Sequence, residues 1–453
     1  MLRICVNSQT PLVRFKVSAE ELFEKYSELP EAVPIELLVR GEDYDFATGG
    51  VTRMLYPLLK ELRGRKLIHK PHWVSLNPIG PEVSVIDKEI FLHRFEIEPH
   101  ELLGYSHFKE CMWRNVHYLG EMSIHTHYFS DFARYNWLCA QKMLDLHLKH
   151  DFDLFYLHDF QQLLVGSMLG PVAPKVFRWH IPVYLEKLLP EWREFLLKYL
   201  SHYDAVIVSC SKYKESLLKA GFEGRVCQIY PHIDERTYKK PSKQALNDFC
   251  RKFGIKDKDK IILVVARLDP MKGQNIAVEA LGKVVKEFPE AKLLLVGDGS
   301  FSSAKRGGLG RPKGTKWHDE LERIAKAHKV SKKLIFTGYA SEEDLECAYT
   351  RADVTVLPSL VEGFGLVVIE SWLYETPVVV SESAGVAELV KEGKNGYVFK
   401  AKDSDELATK ISLLFSHPRK ALELGIKGAK SAHACYLKHN LEKIWKVFRE
   451  VVT

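Results

Sequence analysis

Short apolar runs alternating with amphipathic stretches set the rhythm of this chain. Leu2–Asn7 reads as a strand, Ser18–Tyr26 as a helix and Ile35–Arg40 as another strand. Asp151–Asp159, Lys175–Pro182 and Tyr203–Ser209 are further apolar runs of strand length, and Gln228–Asp234 reads as a short strand and turn. The second half repeats the pattern more regularly. Strands are predicted at Ile261–Val265, Lys292–Val296, Lys333–Thr337, Val354–Leu357 and Pro377–Val380, with helices such as Asn275–Phe288 and Ser341–Arg351 between them. Strands apolar on both faces suit a parallel sheet covered by helices, and the alternation predicts an α/β chain with doubly wound parallel sheets. Glu235–Asn247 is polar and Lys-rich and reads as an inter-domain linker. At the end of the chain, Leu441, Ile444, Trp445 and Phe448 fall on one face of a predicted terminal helix over Tyr436–Val452.

Composition changes this picture little. At 453 residues and 46% hydrophobic content the chain can bury two cores or more. Its 65 Lys and Arg against 59 Asp and Glu leave a net charge of +6, too mild at this length to indicate nucleic acid. Eight cysteines occur without a C-x-x-C pair, which indicates neither a disulfide framework nor a zinc site and fits reduced thiols in the cytoplasm. Met1–Val6 starts as a strand without signal-peptide character, and no apolar run reaches membrane-spanning length. The expectations are a cytoplasmic protein with no transmembrane segment and no bound metal; homo-oligomerisation is left open.

Candidate chemistry gathers at the ends of the predicted strands. Val354–Leu357 leads through Pro358-Ser359 into Glu362-Gly363-Phe364-Gly365-Leu366 and a helix carrying Glu370. Glycines at a helix start let backbone N–H groups approach an anion closely, and the uncapped N–H groups there suit a diphosphate. Ile261–Val265 leads into a loop bearing Arg267 and Lys272, two cations that can clamp a diphosphate or simply be solvated. Gly49-Gly50 opens a helix and reads either as a tight connection or as backbone donors facing a phosphate or sugar. His158-Asp159 and His180 end neighbouring strands, where open α/β sheets bind ligands. Ser300–Trp317, rich in glycine and base, reads either as a mobile surface loop or as a lid over a phosphorylated ligand.

These two donor-like stretches together resemble the donor site of retaining glycosyltransferases with the GT-B fold. There an Arg/Lys pair binds the diphosphate of a sugar nucleotide, and two glutamates eight apart hold sugar and ribose. First-half segments sharpen the likeness: His158-Asp-Phe-Gln-Gln-Leu-Leu, His180-Ile-Pro, Leu189-Pro-Glu-Trp-Arg-Glu194, Gly49-Gly50-Val-Thr, Gly104-Tyr-Ser and Trp113 with His117-Tyr118 are similar to segments of the trehalose-6-phosphate synthase family. The resemblance implies two Rossmann-like domains facing across a cleft: 1–238 for the acceptor, 239–433 for the nucleotide sugar, and 434–453 as a helix crossing back to the first domain. It implies that glucose passes from a nucleoside-diphosphate-glucose to glucose or glucose 6-phosphate, forming an α,α-trehalose-type product, with the α configuration kept and no metal or other cofactor.

By the same resemblance Arg267, Lys272, Glu362, His180 and Asp159 carry the reaction. Gly49, Gly50, Gly363, Phe364, Gly365, Leu366 and Glu370 line the donor, with Tyr339 near the base. Gln9, Trp113, His158, Asp159 and His180 line the acceptor. Two positions depart from the family pattern. Gln9 stands where the family has an arginine for the acceptor's phosphate, and Leu103 where an aromatic is expected. Glutamine cannot form a charge-assisted phosphate pair. Arg306, or another base of Lys305–Lys316, is the candidate replacement, and unphosphorylated glucose is the competing acceptor. Other small acceptors, and a sugar-nucleotide-binding regulatory protein without activity, are the alternatives.

Overall fold

The computed structural model of the protein describes residues 1–47, 49–118, 126–299 and 314–453. They form two compact units, Met1–Tyr230 with Asn440–Thr453 and Pro231–His439. The first unit is built on a nine-stranded sheet in the order Val226–Gln228, Ala205–Val208, Lys175–Arg178, Leu154–His158, Ile4–Ser8, His72–Leu76, Ile90–Phe95, Val83–Ile86, Ala32–Pro34. Neighbours run parallel except Val83–Ile86 against Ile90–Phe95. All five residues of Ile4–Ser8 are buried, as expected of a strand covered on both faces. Because the first strand pairs with Leu154–His158 on one side and His72–Leu76 on the other, the strand order reverses beside it. Gln9 and His158-Asp159 therefore leave the sheet at its topological switch point.

The second unit has a six-stranded parallel sheet in the order Leu334–Gly338, Ala291–Val296, Lys260–Val265, Val354–Leu357, Val378–Ser381, Tyr397–Phe399. Numbered from its own first strand this is 3-2-1-4-5-6, the doubly wound order. The reversal falls between Lys260–Val265 and Val354–Leu357, the two strands whose following loops carry Arg267 with Lys272 and Glu362 with Gly365. Helices Gln274–Val284 and Ser404–Ser416 pack on one face with Leu281, Val284, Leu407 and Ile411 fully or almost fully buried.

Several sequence-based boundaries are corrected. Ile35–Arg40 is not a strand: the edge strand ends at Pro34, which lacks an N–H, and Ile35–Leu37 is a 3-10 turn with Leu37 exposed. The strand expected at Gln228–Asp234 lies earlier, at Val226–Gln228, and Lys175–Pro182 stops as a strand at Arg178. The polar Glu235–Asn247 stretch is ordered structure. It holds a 3-10 turn at Glu235–Thr237 and the start of helix Lys243–Lys252, whose polarity reflects a surface helix burying only Phe249. Of Ser300–Trp317, residues 300–313 lie outside those described, and Trp317 sits in helix Gly314–Ala327. In the terminal helix Leu437–Val452, Val447 is buried where Trp445 was expected, and the Phe448 ring meets Tyr156 edge-on at 5.0 Å.

On adjacent strands of the first unit, His72 Nδ1 and His93 Nε2 lie 2.8 Å apart, both rings buried, with His150 stacked obliquely on His72. Burial pushes the His72 imidazole down to about 4 and His93 to about 3; neighbouring His72, Lys142, His150 and Lys149 add repulsion to His93. The unfolded chain therefore binds more protons than the folded one between the ordinary histidine value and these, and stability falls as pH drops through that window. Thermal denaturation should show Tm falling from about pH 6.5 toward pH 4, with the fall reduced in His93→Gln. An equal pH dependence in parent and variant contradicts this assignment.

Candidate active site

In the second unit three of the residues expected at the donor, Lys272, Glu362 and Gly365, lie together around one ion pair. Lys272 ends the 3-10 turn Pro270–Lys272, which Asp269 caps by accepting from the Met271 N–H at 2.9 Å. Its Nζ lies 2.7 Å from Glu362 Oε2, with the side chains only 22% and 17% exposed. Ser359 Oγ donates to the same oxygen at 3.0 Å, and Ser383 Oγ donates to the Ser359 carbonyl at 2.6 Å. The Leu360 N–H donates to the Met271 carbonyl at 2.9 Å, tying the two loops backbone to backbone. A lysine ammonium and a glutamate so confined form a largely desolvated, net-neutral ion pair at the carboxyl end of the sheet.

Beside it, Gly365 adopts φ +104 and opens helix Leu366–Leu373 without a side-chain cap. The positive φ demands glycine there, and a Cβ would also lie 2.5 Å from Leu357 Cδ2 and have to displace that side chain. Phe364 is buried, and its carbonyl accepts from Val386 N–H at 2.9 Å, which anchors the glycine loop to the next strand's turn. Gly363 is covered from the other side, since a Cβ on Gly385 would come within 2.4 Å of its carbonyl oxygen. Helix N–H groups left uncapped at such a point favour an anion.

Glu370 lies on the same helix, 5% exposed, and accepts from Tyr238 Oη at 3.0 Å and Tyr349 Oη at 2.8 Å. Arg267 follows strand Lys260–Val265, and its carbonyl accepts from Gln274 Nε2 at 2.7 Å. Tyr339 follows strand Leu334–Gly338 and is 70% exposed.

In the first unit the structure brings His158, Asp159 and His180 together. His158 Nδ1 and His180 Nε2 are 3.0 Å apart with the rings stacked at 14°, and the His180 N–H donates to Asp159 Oδ1 at 3.3 Å. Asp159 has φ +73, a left-handed conformation that costs a non-glycine residue about 1–3 kcal/mol. Strain of this kind persists where the surroundings over-determine it, as at ligand sites. Loss of hydration pushes the Asp159 carboxyl up to about 7, against N–H donation from Phe160 and His180 that pulls it down.

Gln9 is joined to this cluster through Gln162. With its amide turned to suit its neighbours, the buried Gln162 accepts from the Gln9 N–H at 2.9 Å and from Tyr135 Oη at 2.6 Å, and donates to the His158 carbonyl at 2.6 Å. Trp113 lies on helix Pro99–Val116 and stacks on His117 at 4.2 Å. Leu103, on the same helix, is 59% exposed. Arg306 lies outside the described residues.

Gly49 caps helix Gly50–Gly64 with φ −68 and offers no side-chain hydrogen bond to its first turn. A Cβ on Gly50 would meet nothing within 4 Å, and one on Gly49 only ordinary contacts at 3.5 Å and beyond. Unlike Gly365, this pair is required by neither backbone nor packing, which fits a surface kept open for a ligand. Sequence reasoning missed Ser359, Ser383, Gln162 and the two tyrosines on Glu370. None carries a spacing signal, because each acts through a contact made only on folding.

Residues 247–431 match the family model for glycosyl transferases group 1. A GDP-mannose-dependent alpha-(1-6)-phosphatidylinositol monomannoside mannosyltransferase of Mycolicibacterium smegmatis is 26% identical over 291 residues, covering 60% of this chain and 71% of that protein. A trehalose synthase of Thermococcus litoralis is 29% identical over 283 residues, 62% of this chain and 64% of its own length. The solved structure of trehalose-6-phosphate from E. coli bound with UDP-2-fluoro glucose superposes with TM-score 0.76 at 17% identity over 99% of both chains. The chain thus has the GT-B fold, and its second unit carries a glycosyl transferases group 1 domain. Among the described residues no helix is long and apolar enough to cross a membrane.

The two kinds of glycine separate by stability. Gly365→Ala should lower stability by about 1–3 kcal/mol through its left-handed φ. Gly50→Ala, at an open helical position, should stay within about 1 kcal/mol of the parent. Denaturant titration of both variants checks this, and equal destabilisation contradicts it.

Proposed function

We propose that the protein is a retaining glycosyltransferase that moves glucose from a nucleoside-diphosphate-glucose to glucose or glucose 6-phosphate and forms an α,α-trehalose-type product. The observation that carries the reading is the Lys272–Glu362 pair at the uncapped start of helix Leu366–Leu373. In this reading Arg267, Lys272 and the helix N–H groups take up the charge that develops on the departing diphosphate. Pre-aimed donors of this kind supply about 3–4 kcal/mol each in a site shielded from water. Glu362 turns to the hydroxyls of the transferred sugar, Glu370 holds the ribose, and Gly49 and Gly50 give the phosphates room.

Asp159 and the His158–His180 pair hold the acceptor hydroxyls. The attacking hydroxyl approaches on the face of the leaving group, and the departing phosphate oxygen takes its proton. No side-chain nucleophile is assigned. Arg267 and Lys272 fill the charge-neutralising role that a divalent metal has in other transferases. The trehalose synthase of T. litoralis and the E. coli structure with its UDP-glucose analogue support the sugar and product class. Gln9, whose neutral side chain cannot form a charge-assisted phosphate pair, favours an unphosphorylated acceptor. The mannosyltransferase relative supports a second reading, a different hexose and another small acceptor such as glycerol phosphate, glycerate or another sugar.

Pairing UDP-, ADP- and GDP-glucose with glucose, glucose 6-phosphate, glycerate and glycerol phosphate, and reading products by mass and NMR, tests this. An α,α-linked disaccharide is expected, and Lys272→Ala should cut turnover at least about a hundredfold by loss of one charge-stabilising donor. Nucleotide binding without product from any pair contradicts the transferase reading, and near-normal turnover of the variant contradicts the assigned role of Lys272.

A further inference from the structure

Arg267 sits on a short loop held by hydrogen bonds on either side of it. The Ala266 N–H donates to the Val296 carbonyl and the Leu268 N–H to the Asp298 carbonyl, each at 3.0 Å. Between them the Arg267 carbonyl is taken by a side chain, the amide of Gln274, at 2.7 Å. Gln274 is fully buried, and its other amide atom, Oε1, accepts from the Trp317 indole N–H at 3.0 Å. An indole nitrogen only donates, and a backbone carbonyl only accepts. The order oxygen toward Trp317 and nitrogen toward Arg267 is therefore the one orientation that satisfies both ends. The flipped amide would set oxygen against oxygen and N–H against N–H in a dry site.

Gln274 is itself anchored. The preceding Gly273 has φ +66, and a Cβ there would come within 2.0 Å of the Pro358 carbonyl oxygen, on the loop that leads to Ser359 and Glu362. The first turn of helix Gln274–Val284 is thus wedged between the two loops of the candidate donor site. Gln274 can fix the Arg267–Leu268 peptide plane only while Trp317 fixes Gln274.

We propose that Gln274, oriented by Trp317, is a positioning residue that sets the Arg267 peptide plane and so aims its guanidinium at the donor diphosphate. The proposal rests on the reading that Arg267 binds that diphosphate. Its consequence is that helix Gly314–Ala327, through one indole N–H, tunes nucleotide affinity without touching the nucleotide.

A double-mutant cycle read by calorimetry with UDP, ADP and GDP tests it, using the nucleotide that binds the parent. Gln274→Glu keeps the acceptor for Trp317 but turns an oxygen on the Arg267 carbonyl, and should weaken binding by about tenfold, within the range of coupling between contacting residues. Trp317→Phe should weaken it by a smaller factor, about threefold, and provides the folded variant if Gln274→Glu does not fold. In an Arg267→Ala background both effects should shrink to less than about twofold, while the Tm losses persist unchanged. Weakening as large without Arg267 as with it, or unaltered affinity in folded Trp317→Phe and Gln274→Glu, overturns the positioning role alone. Parent-like affinity of Arg267→Ala itself overturns the assignment of Arg267, and this proposal with it.

Discussion

The Lys272–Glu362 ion pair is the constraint on which the second unit's candidate site depends. It joins residues ninety positions apart at 2.7 Å, mostly out of water. Removing two charges from water costs several kcal/mol per ion, recovered only with close geometry and further hydrogen bonds. Ser359 supplies one such bond, and the Met271–Leu360 backbone contact holds the two loops at the required spacing. A pair built at that cost is poorly explained by stability alone, since an apolar pair of like volume often serves as well or better. Under the proposed function it is two charges kept ready for the donor's diphosphate and sugar.

Topology explains why these loops meet. In the six-stranded sheet the strand order reverses between the neighbouring strands Lys260–Val265 and Val354–Leu357, so the loops that follow them leave the sheet side by side at its carboxyl end. The first unit repeats the logic with Ile4–Ser8 and Leu154–His158, which release Gln9 and His158-Asp159 side by side. Each unit therefore places its polar chemistry where the fold necessarily opens, and the left-handed Asp159 marks one of these points.

Much of this was legible in the sequence. Val354–Leu357 and Ile261–Val265 announce buried strands by uninterrupted apolar runs, and the glycines, cations and carboxylates directly after them announce the loops. Edge elements were less legible: Ile35–Arg40 has the composition of a strand, yet Pro34 ends the pairing and Leu37 faces water. Glu235–Asn247 misled for the opposite reason, because a surface helix that buries one aromatic is nearly as polar as a linker. The partners of Glu370 were illegible altogether. Tyr238 and Tyr349 reach it from other elements, and no local pattern encodes a contact made by tertiary packing. Gln162, Gln274 and Trp317 belong to the same class, buried polar groups whose meaning lies in what they hold.

A crystal structure of the protein grown with UDP-glucose, or with GDP-glucose if that binds better, tests the central claim most directly. The diphosphate should lie within hydrogen-bond distance of Arg267 and Lys272 at the Gly365–Leu366 helix start, with Lys272 turned from Glu362 toward phosphate. A nucleotide bound elsewhere, with the Lys272–Glu362 pair intact, would contradict it.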